Sequence, residues 1–160
     1  MKTRIISAFP GTGKSFYHKK YPETTLDSDS SFFNWVETNE SKIRNPEWPK
    51  NYINHIQENI GKYEFIFVST HKEVREALLD SCIFFYLIYP DEDYKDLYLD
   101  RLKKRGSPPE FIKLLDKSWD EWLRELSFCE YGCSNVRMTF PYIEKELQHI
   151  VASENGDEKC

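Results

Sequence analysis

The stretch AFPGTGKSF, Ala8–Phe16, constrains this chain more than any other segment. It follows the apolar run TRIISAF, which is typical of a buried strand, and it opens a segment typical of a short helix. A strand that leads through a glycine turn into a helix is the setting of a phosphate-binding loop. The fixed positions of that pattern are held by Ala8, where the first glycine often stands, Gly11, Gly13, Lys14 and Ser15. The chain is therefore predicted to bind a nucleoside triphosphate.

Each residue type in this loop has a chemical reason to be there. Glycines let the backbone curl until several N–H groups point at phosphate oxygens, and the helix that follows adds its dipole. Lys14 is predicted to reach the β- and γ-phosphates, and Ser15 to ligate Mg²⁺. We expect ATP and Mg²⁺ as cofactors, with nucleotide contacts from Gly11, Thr12, Gly13, Lys14, Ser15 and Phe16.

Length and charge restrict the classes that remain. The chain has 160 residues, the size of one domain, and a net charge of −5, which disfavours extensive binding of duplex nucleic acid. The longest apolar run, residues 82–89, is too short to span a membrane. We expect a cytoplasmic protein whose cysteines are free thiols.

Apolar runs and helical patterns alternate along the chain. Strands are predicted in TRIISAF, TTLDS, EFIFVST, IFFYLIYP and NVRMTF, with amphipathic segments between them. Strands separated by helices pair in parallel through right-handed crossovers. The prediction is a three-layer α/β domain over residues 1–150 with a parallel sheet of about five strands. A helical lid is expected at about residues 92–127, and residues 151–160 are expected to form a polar tail.

Two carboxylates follow the predicted second strand in LDSDS. Asp27 and Asp29 are two residues apart, so an extended backbone places both on one side, at the edge of the sheet that carries the phosphate loop. One can hold Mg²⁺ or its water, and the other can accept the proton of an acceptor hydroxyl. A solvated turn of Asp and Ser residues is the alternative.

A basic segment, RLKKR, lies late in the chain. Arg101 and Arg105 are four residues apart and share one face of a helix, where two guanidinium groups can clamp phosphate oxygens during transfer. Gly106 directly after Arg105 suggests a hinge. A solvated face paired with Asp96 and Asp100 is the alternative.

These three motifs together resemble the small-molecule kinases of the nucleoside-monophosphate-kinase, shikimate-kinase and gluconate-kinase group. The chain is also similar to short phage and bacterial P-loop proteins described as ATPases or nucleotide kinases. The resemblance covers roughly residues 4–143. It implies that Asp27 lies near the metal, that Asp29 contacts the phosphate acceptor, and that Arg101 and Arg105 are lid arginines.

The third strand departs from the pattern of an ATPase. FIFVSTH ends in Ser69, Thr70 and His71, without the aspartate that many ATPases use for Mg²⁺. Thr70 or His71 could contact the γ-phosphate, or His71 could cap the next helix. Arg75 could bind an acceptor phosphate or pair with Glu76 or Asp80.

Three functions follow from the sequence. The leading hypothesis is a phosphotransferase that acts on a small acceptor, with a nucleoside or nucleotide favoured; Lys14, Asp29, Arg101 and Arg105 would be its catalytic residues. The second is a kinase of nucleic-acid ends or of a modified base in DNA. Phe32, Phe33 and Trp35 could stack on a base or another flat acceptor, or they could pack in the core. The third is a nucleotide-binding module or NTPase switch without an acceptor.

Overall fold

The computed structural model describes residues 1–38, 41–128 and 131–157. The strands are β1 (Arg4–Ala8), β2 (Thr25–Asp27), β3 (Trp35–Glu37), β4 (Lys42–Arg44), β5 (Phe65–Val68), β6 (Phe85–Pro90) and β7 (Cys133–Met138). The helices are α1 (Lys14–Lys20), α2 (Lys50–Asn59), α3 (Lys72–Asp80), α4 (Lys95–Arg105), α5 (Pro109–Ser127) and α6 (Ile143–Asp157).

A five-stranded parallel sheet in the order β2-β5-β1-β6-β7 forms the centre of the fold. Every residue of β1 and β5 is buried, as expected for strands covered on both faces. One face packs against α2, α3, α4 and α5, and the other against α1 and α6. The α/β class and the five parallel strands predicted from the sequence are confirmed.

The register of the strands decides which loops are neighbours. Asp27 of β2 is level with Phe67 of β5, and Ser7 of β1 is level with Val68. The carboxyl ends of β1, β2 and β5 therefore lie at the same edge of the sheet. The side chain of Ser7 donates to the carbonyl of Ser69 at 3.0 Å and links two of these ends directly. This edge is where ligands bind in open parallel sheets.

The segment expected to form a lid contributes to the core of the domain. Tyr98 of α4 and Trp119 of α5 are fully buried and contact Phe9, which follows β1. The indole N–H of Trp119 donates to the carbonyl of Glu92 at 3.1 Å. Because these rings fill the space beside the sheet, α4 and α5 form part of its helical layer.

Two regions of the fold differ from the sequence expectation. Strands β3 and β4 form an antiparallel pair, called the hairpin below, that the sequence did not indicate. Helix α6 extends to Asp157, so residues 151–157, expected in a polar tail, are helical. Glu154 of this helix accepts hydrogen bonds from Arg4 and Tyr86, which explains why the helix continues.

The cysteines also differ from expectation. Cys133 is disulfide-bonded, whereas Cys82 is a free and exposed thiol. The expectation of free thiols is therefore wrong for Cys133. Cys129 and Cys160 lie outside the described residues. Within the described ranges, no helix is both long and apolar enough to cross a bilayer.

Candidate phosphotransfer site

The loop between β1 and α1 adopts a backbone that needs its glycines. Gly11 and Gly13 have φ angles of 85° and 101°, in the left-handed region. A Cβ atom on Gly11 would lie 3.0 Å from the ring of Tyr98, and one on Gly13 would lie 3.3 Å from the ring of Tyr142. The loop is therefore tightly packed on its outer side as well as strongly curved.

Lys14 lies within the curl of this loop. Its ammonium group donates to the carbonyl of Ala8 and, at 3.3 Å, to that of Phe9. Burial lowers the pKa of Lys14 to about 8, and the nearby Arg105 also lowers it, while Asp27 and Asp29 act in the opposite direction. A phosphate bound at this position would supply the negative charge that favours the ammonium form.

The side chains of Ser15 and Asp27 meet beside Lys14. The Ser15 hydroxyl donates to Oδ2 of Asp27 at 2.7 Å, although the two residues are on different elements. A hydroxyl and a carboxylate are hard oxygen donors, and Mg²⁺ in phosphotransfer sites commonly takes one or two protein oxygens and completes its shell with phosphate and water. The pair thus fits the Mg²⁺ site predicted for Ser15 and Asp27.

Asp29 has a structural contact as well as access to the site. One carboxylate oxygen accepts from the backbone N–H of Ser31 at 2.8 Å and caps a short 3₁₀ turn. The residue before it, Ser28, is buried, and its carbonyl accepts a hydrogen bond from Tyr52 at 2.7 Å. These contacts fix the direction of Asp29. The turn considered as an alternative is therefore present, and Asp29 still lines the cavity.

A cavity of about 830 Å³ joins these groups. Among the described residues that line it, the cations come from α1 and α4: Lys14, Lys19, Lys20, Arg101 and Arg105. The loops after β2 and β5 supply Ser28, Asp29, Ser30, Ser69, Thr70 and His71. The lining also includes the carboxylates of Asp27 and Glu144, and Glu144 pairs with Lys20 at 2.8 Å. The cavity thus combines several cations with carboxylates, an imidazole and hydroxyl groups.

Most of the residues predicted to bind nucleotide line this cavity, but Thr12 does not. Gly11, Gly13, Lys14, Ser15 and Phe16 are among its lining residues. Thr12 is buried, and both its hydroxyl and its backbone N–H donate to the carbonyl of Phe9, at 2.9 and 3.3 Å. Thr12 therefore shapes the loop from its inner side.

The arginines considered from the sequence occupy different positions. Arg101 and Arg105 both line the cavity. Arg101 donates to the carbonyl of Gly11 at 2.6 Å. Arg75 is buried and pairs with Glu125 of α5, while its Nε donates to the carbonyl of Thr70 at 3.0 Å. Arg75 thus joins α3 to α5, and its partner is neither Glu76 nor Asp80.

Tyr142 was not singled out from the sequence, whereas His71 was considered as a contact of the γ-phosphate or as a cap of the next helix. Tyr142, just before α6, lines the cavity beside the phosphate loop, and no spacing in the sequence indicated this. His71 occupies the N-cap position of α3 without a side-chain cap, and its Nδ1 lies 3.3 Å from the hydroxyl of Ser69. Burial lowers the pKa of His71, so its neutral form is favoured.

Trp35 and Arg44 of the hairpin form a cluster with Trp48 and Glu73. Arg44 lies over the rings of Trp35 and Trp48, at 5.6 and 5.3 Å, and pairs with Glu73 at the start of α3. Glu73 also accepts from the indole N–H of Trp48 at 2.7 Å. Glu73 follows His71 by two residues at the start of α3, so the cluster lies close to this lining residue of the cavity.

No protein-family model matches the chain, and a comparison with curated proteins also finds no match. The inference of function therefore rests on the geometry of the site.

Proposed function

We propose that the protein is a P-loop kinase that transfers the γ-phosphoryl group of ATP to a hydroxyl group of a small acceptor, with a nucleoside or nucleotide favoured. The observation that carries this proposal is that one cavity is lined both by the phosphate loop with Lys14 and by Asp29 and His71. A triphosphate suits the loop and its cations, and a group that must lose a proton suits Asp29.

The donor half of the site is formed by the loop and α1. Lys14 would exchange its present carbonyl contacts for phosphate oxygens, and Ser15 with Asp27 would hold the metal ion. Mg²⁺ held by these residues would neutralise negative charge on the phosphates. Arg105, on the same cavity wall, would stabilise charge on the transferred group.

The acceptor half centres on Asp29. An alcohol must lose its proton as it attacks phosphorus, whereas a phosphate acceptor is already ionised, so a free carboxylate oxygen at this position favours an alcohol. In the proposed step, the acceptor oxygen forms a bond to the γ-phosphorus, and its proton passes to Asp29. The bond from phosphorus to the β,γ-bridging oxygen breaks, and its electrons leave with ADP.

The test is transfer from γ-labelled ATP to a panel of nucleosides, nucleotides and sugars, followed by the variant Asp29→Asn. Asparagine also caps turns, so the contact with Ser31 is retained while the base is lost. We expect turnover to fall about a hundredfold or more, with ATP affinity nearly unchanged.

Two results would contradict the kinase proposal. The first is the absence of any acceptor in the panel despite measurable ATP binding. The second is slow ATP hydrolysis that Asp29→Asn leaves unchanged, which would favour a nucleotide-binding module or NTPase switch. Equal losses of turnover and ATP affinity would instead assign Asp29 a purely structural role.

A nucleic-acid acceptor is the second candidate, and the hairpin favours it. Trp35 and Arg44 are exposed near the cavity, and Phe32 is 82% exposed beside Asp29. Exposed aromatic rings together with cations are typical of surfaces that bind single-stranded nucleic acid. Binding of oligonucleotides that weakens steeply with salt, together with phosphorylation of the bound strand, would support this candidate over a small acceptor.

A further inference from the structure

Arg101 has an unusual set of contacts for an arginine in a phosphate site. Its Nη1 donates to the carbonyl of Gly11 at 2.6 Å, and its guanidinium lies over the rings of Tyr98 and Tyr142, at 4.9 and 4.2 Å. Its Nη2 is buried and has no hydrogen-bond partner among the residues that the structure describes. The cation is thus held against the loop by two aromatic rings and one carbonyl.

The contact with Gly11 fixes the orientation of a peptide plane. In a trans peptide, the carbonyl of one residue and the N–H of the next point in opposite directions. The carbonyl of Gly11 points to Arg101, and the N–H of Thr12 donates to the carbonyl of Phe9 at 3.3 Å. This plane is therefore held from both sides.

The next peptide plane is held by the segment that contains Tyr142. The carbonyl of Thr12 accepts from the backbone N–H of Ile143 at 3.0 Å, so the N–H of Gly13 points the opposite way. Gly13 itself lines the cavity. Tyr142 covers Gly13 on the outside and stacks on Arg101.

We propose that Arg101 is a positioning residue which, with Tyr142, holds the Gly11–Thr12 and Thr12–Gly13 peptide planes and thereby keeps the N–H of Gly13 turned toward phosphate. Of the two arginines Arg101 and Arg105, Arg105 is then the one that acts on the transferred phosphoryl group. This inference relies on the proposed function only for the identity of the ligand. The contacts that hold the loop are present in the protein without nucleotide. The inference assigns different roles to Arg101 and Arg105, which their four-residue spacing on the helix does not distinguish.

The experiment compares Arg101→Met with the matched variant Arg105→Met, which lies one turn further along α4. Amide hydrogen exchange of residues 11–15 is measured without nucleotide, and the Kd for ATP and kcat are measured separately. For Arg101→Met we expect exchange and Kd to rise about tenfold each, with a smaller loss in kcat, because one charged hydrogen bond is removed. For Arg105→Met we expect unchanged loop exchange and a loss mainly in kcat.

Conservative variants distinguish positioning from general stability. Tyr142→Phe keeps the ring over Arg101 and should retain wild-type exchange, whereas Tyr142→Leu should raise exchange in residues 11–15. If Arg101→Met does not fold, Arg101→Lys and Tyr142→Leu provide the same comparison. The proposal is overturned if Arg101 and Tyr142 variants exchange like the wild type in this loop, or if Arg101→Met reproduces the kcat loss of Arg105→Met with unchanged Kd. If no protein in the series binds ATP, the proposed function fails while the exchange data still decide the role of Arg101.

Discussion

Lys14 shows how a single residue can couple nucleotide binding to proton binding. Burial lowers its pKa to about 8, well below the ordinary value for lysine. Its contacts with the carbonyls of Ala8 and Phe9 use the ammonium as a donor but supply no negative charge. Phosphate oxygens would supply that charge and raise the pKa, so binding and protonation should favour each other.

We therefore expect ATP affinity to fall roughly tenfold between pH 7 and pH 9, because the free protein loses most of its Lys14 proton over that interval. Near pH 6.5 the ammonium is already charged, and no proton uptake at this group is expected. Titration calorimetry in two buffers of different ionisation enthalpy measures the uptake at pH 8.5. In Lys14→Met the uptake should vanish; uptake that persists there would assign it to another group.

Cys82 offers a stability prediction that is independent of function. It follows the end of α3 with a φ of 55°, a left-handed conformation that favours glycine at this position after a helix. Cys82→Gly removes the strain but adds chain entropy in the unfolded state, so we expect a net gain of about 0.5–1 kcal/mol. Urea unfolding measures this gain in the free energy of unfolding. Cys82→Ala keeps the strained backbone and should show no gain; an equal gain would mean that the thiol, rather than φ, is unfavourable.

At the scale of elements, the predictable parts are those with strong apolar patterns. The runs RIISA and FIFV are buried along their whole length and were recognised as strands. The hairpin was missed because β3 and β4 have three residues each and every one is exposed. Such strands carry no burial pattern for sequence analysis to detect. Their pairing is stabilised by tertiary contacts, including that of Arg44 with Glu73.

The hairpin also provides a test of the division between donor and acceptor halves. Asn45 donates its backbone N–H to the carbonyl of Asn34 at 3.0 Å, so the two ends of residues 35–44 are adjacent. We expect that replacing these residues with Gly-Gly leaves the ATP Kd within about twofold, because none of residues 35–38 and 41–44 lines the cavity. Transfer to a single-stranded nucleic-acid acceptor should fall at least tenfold, because Trp35 and Arg44 are removed. Binding calorimetry and the transfer assay measure the two effects. Parallel losses of both would show that the hairpin supports the whole cavity.

At the scale of the whole molecule, the sequence indicated which residues line the cavity better than it indicated which residues they contact. Asp27 and Asp29 could be placed because parallel strands bring their carboxyl ends to one edge. The pairing of Arg75 with Glu125 joins residues 50 positions apart and has no local signature. The position of Tyr142 also has no local signature in the sequence. This segment reaches the phosphate loop because α6 packs on the face of the sheet opposite α2–α5.

The two ends of the described chain are joined by a charged cluster. Glu154 of α6 contacts Arg4 of β1 at 2.7 Å and Lys2 at 3.0 Å, and it accepts from the hydroxyl of Tyr86. Burial acts to raise the pKa of Glu154, but the hydrogen bonds from Tyr86, Lys2 and Arg4 outweigh it and hold the pKa below its usual value. A carboxyl group of this kind stabilises the fold above its unfolded-state pKa, and that contribution is lost as pH falls through its lowered folded-state pKa.

Glu154→Gln should therefore lower the free energy of unfolding at pH 7 by about 2 kcal/mol, because Arg4 is left buried without its main partner. The deficit should shrink at acid pH, where the wild-type carboxylate is itself protonated. Urea unfolding at pH 7 and at successively lower pH measures this difference. The matched variant Glu144→Gln removes a partner of Lys20 in a more exposed pair on the same helix and should cost clearly less. A deficit that stays constant across pH would mean that Glu154 acts through packing rather than through its charge.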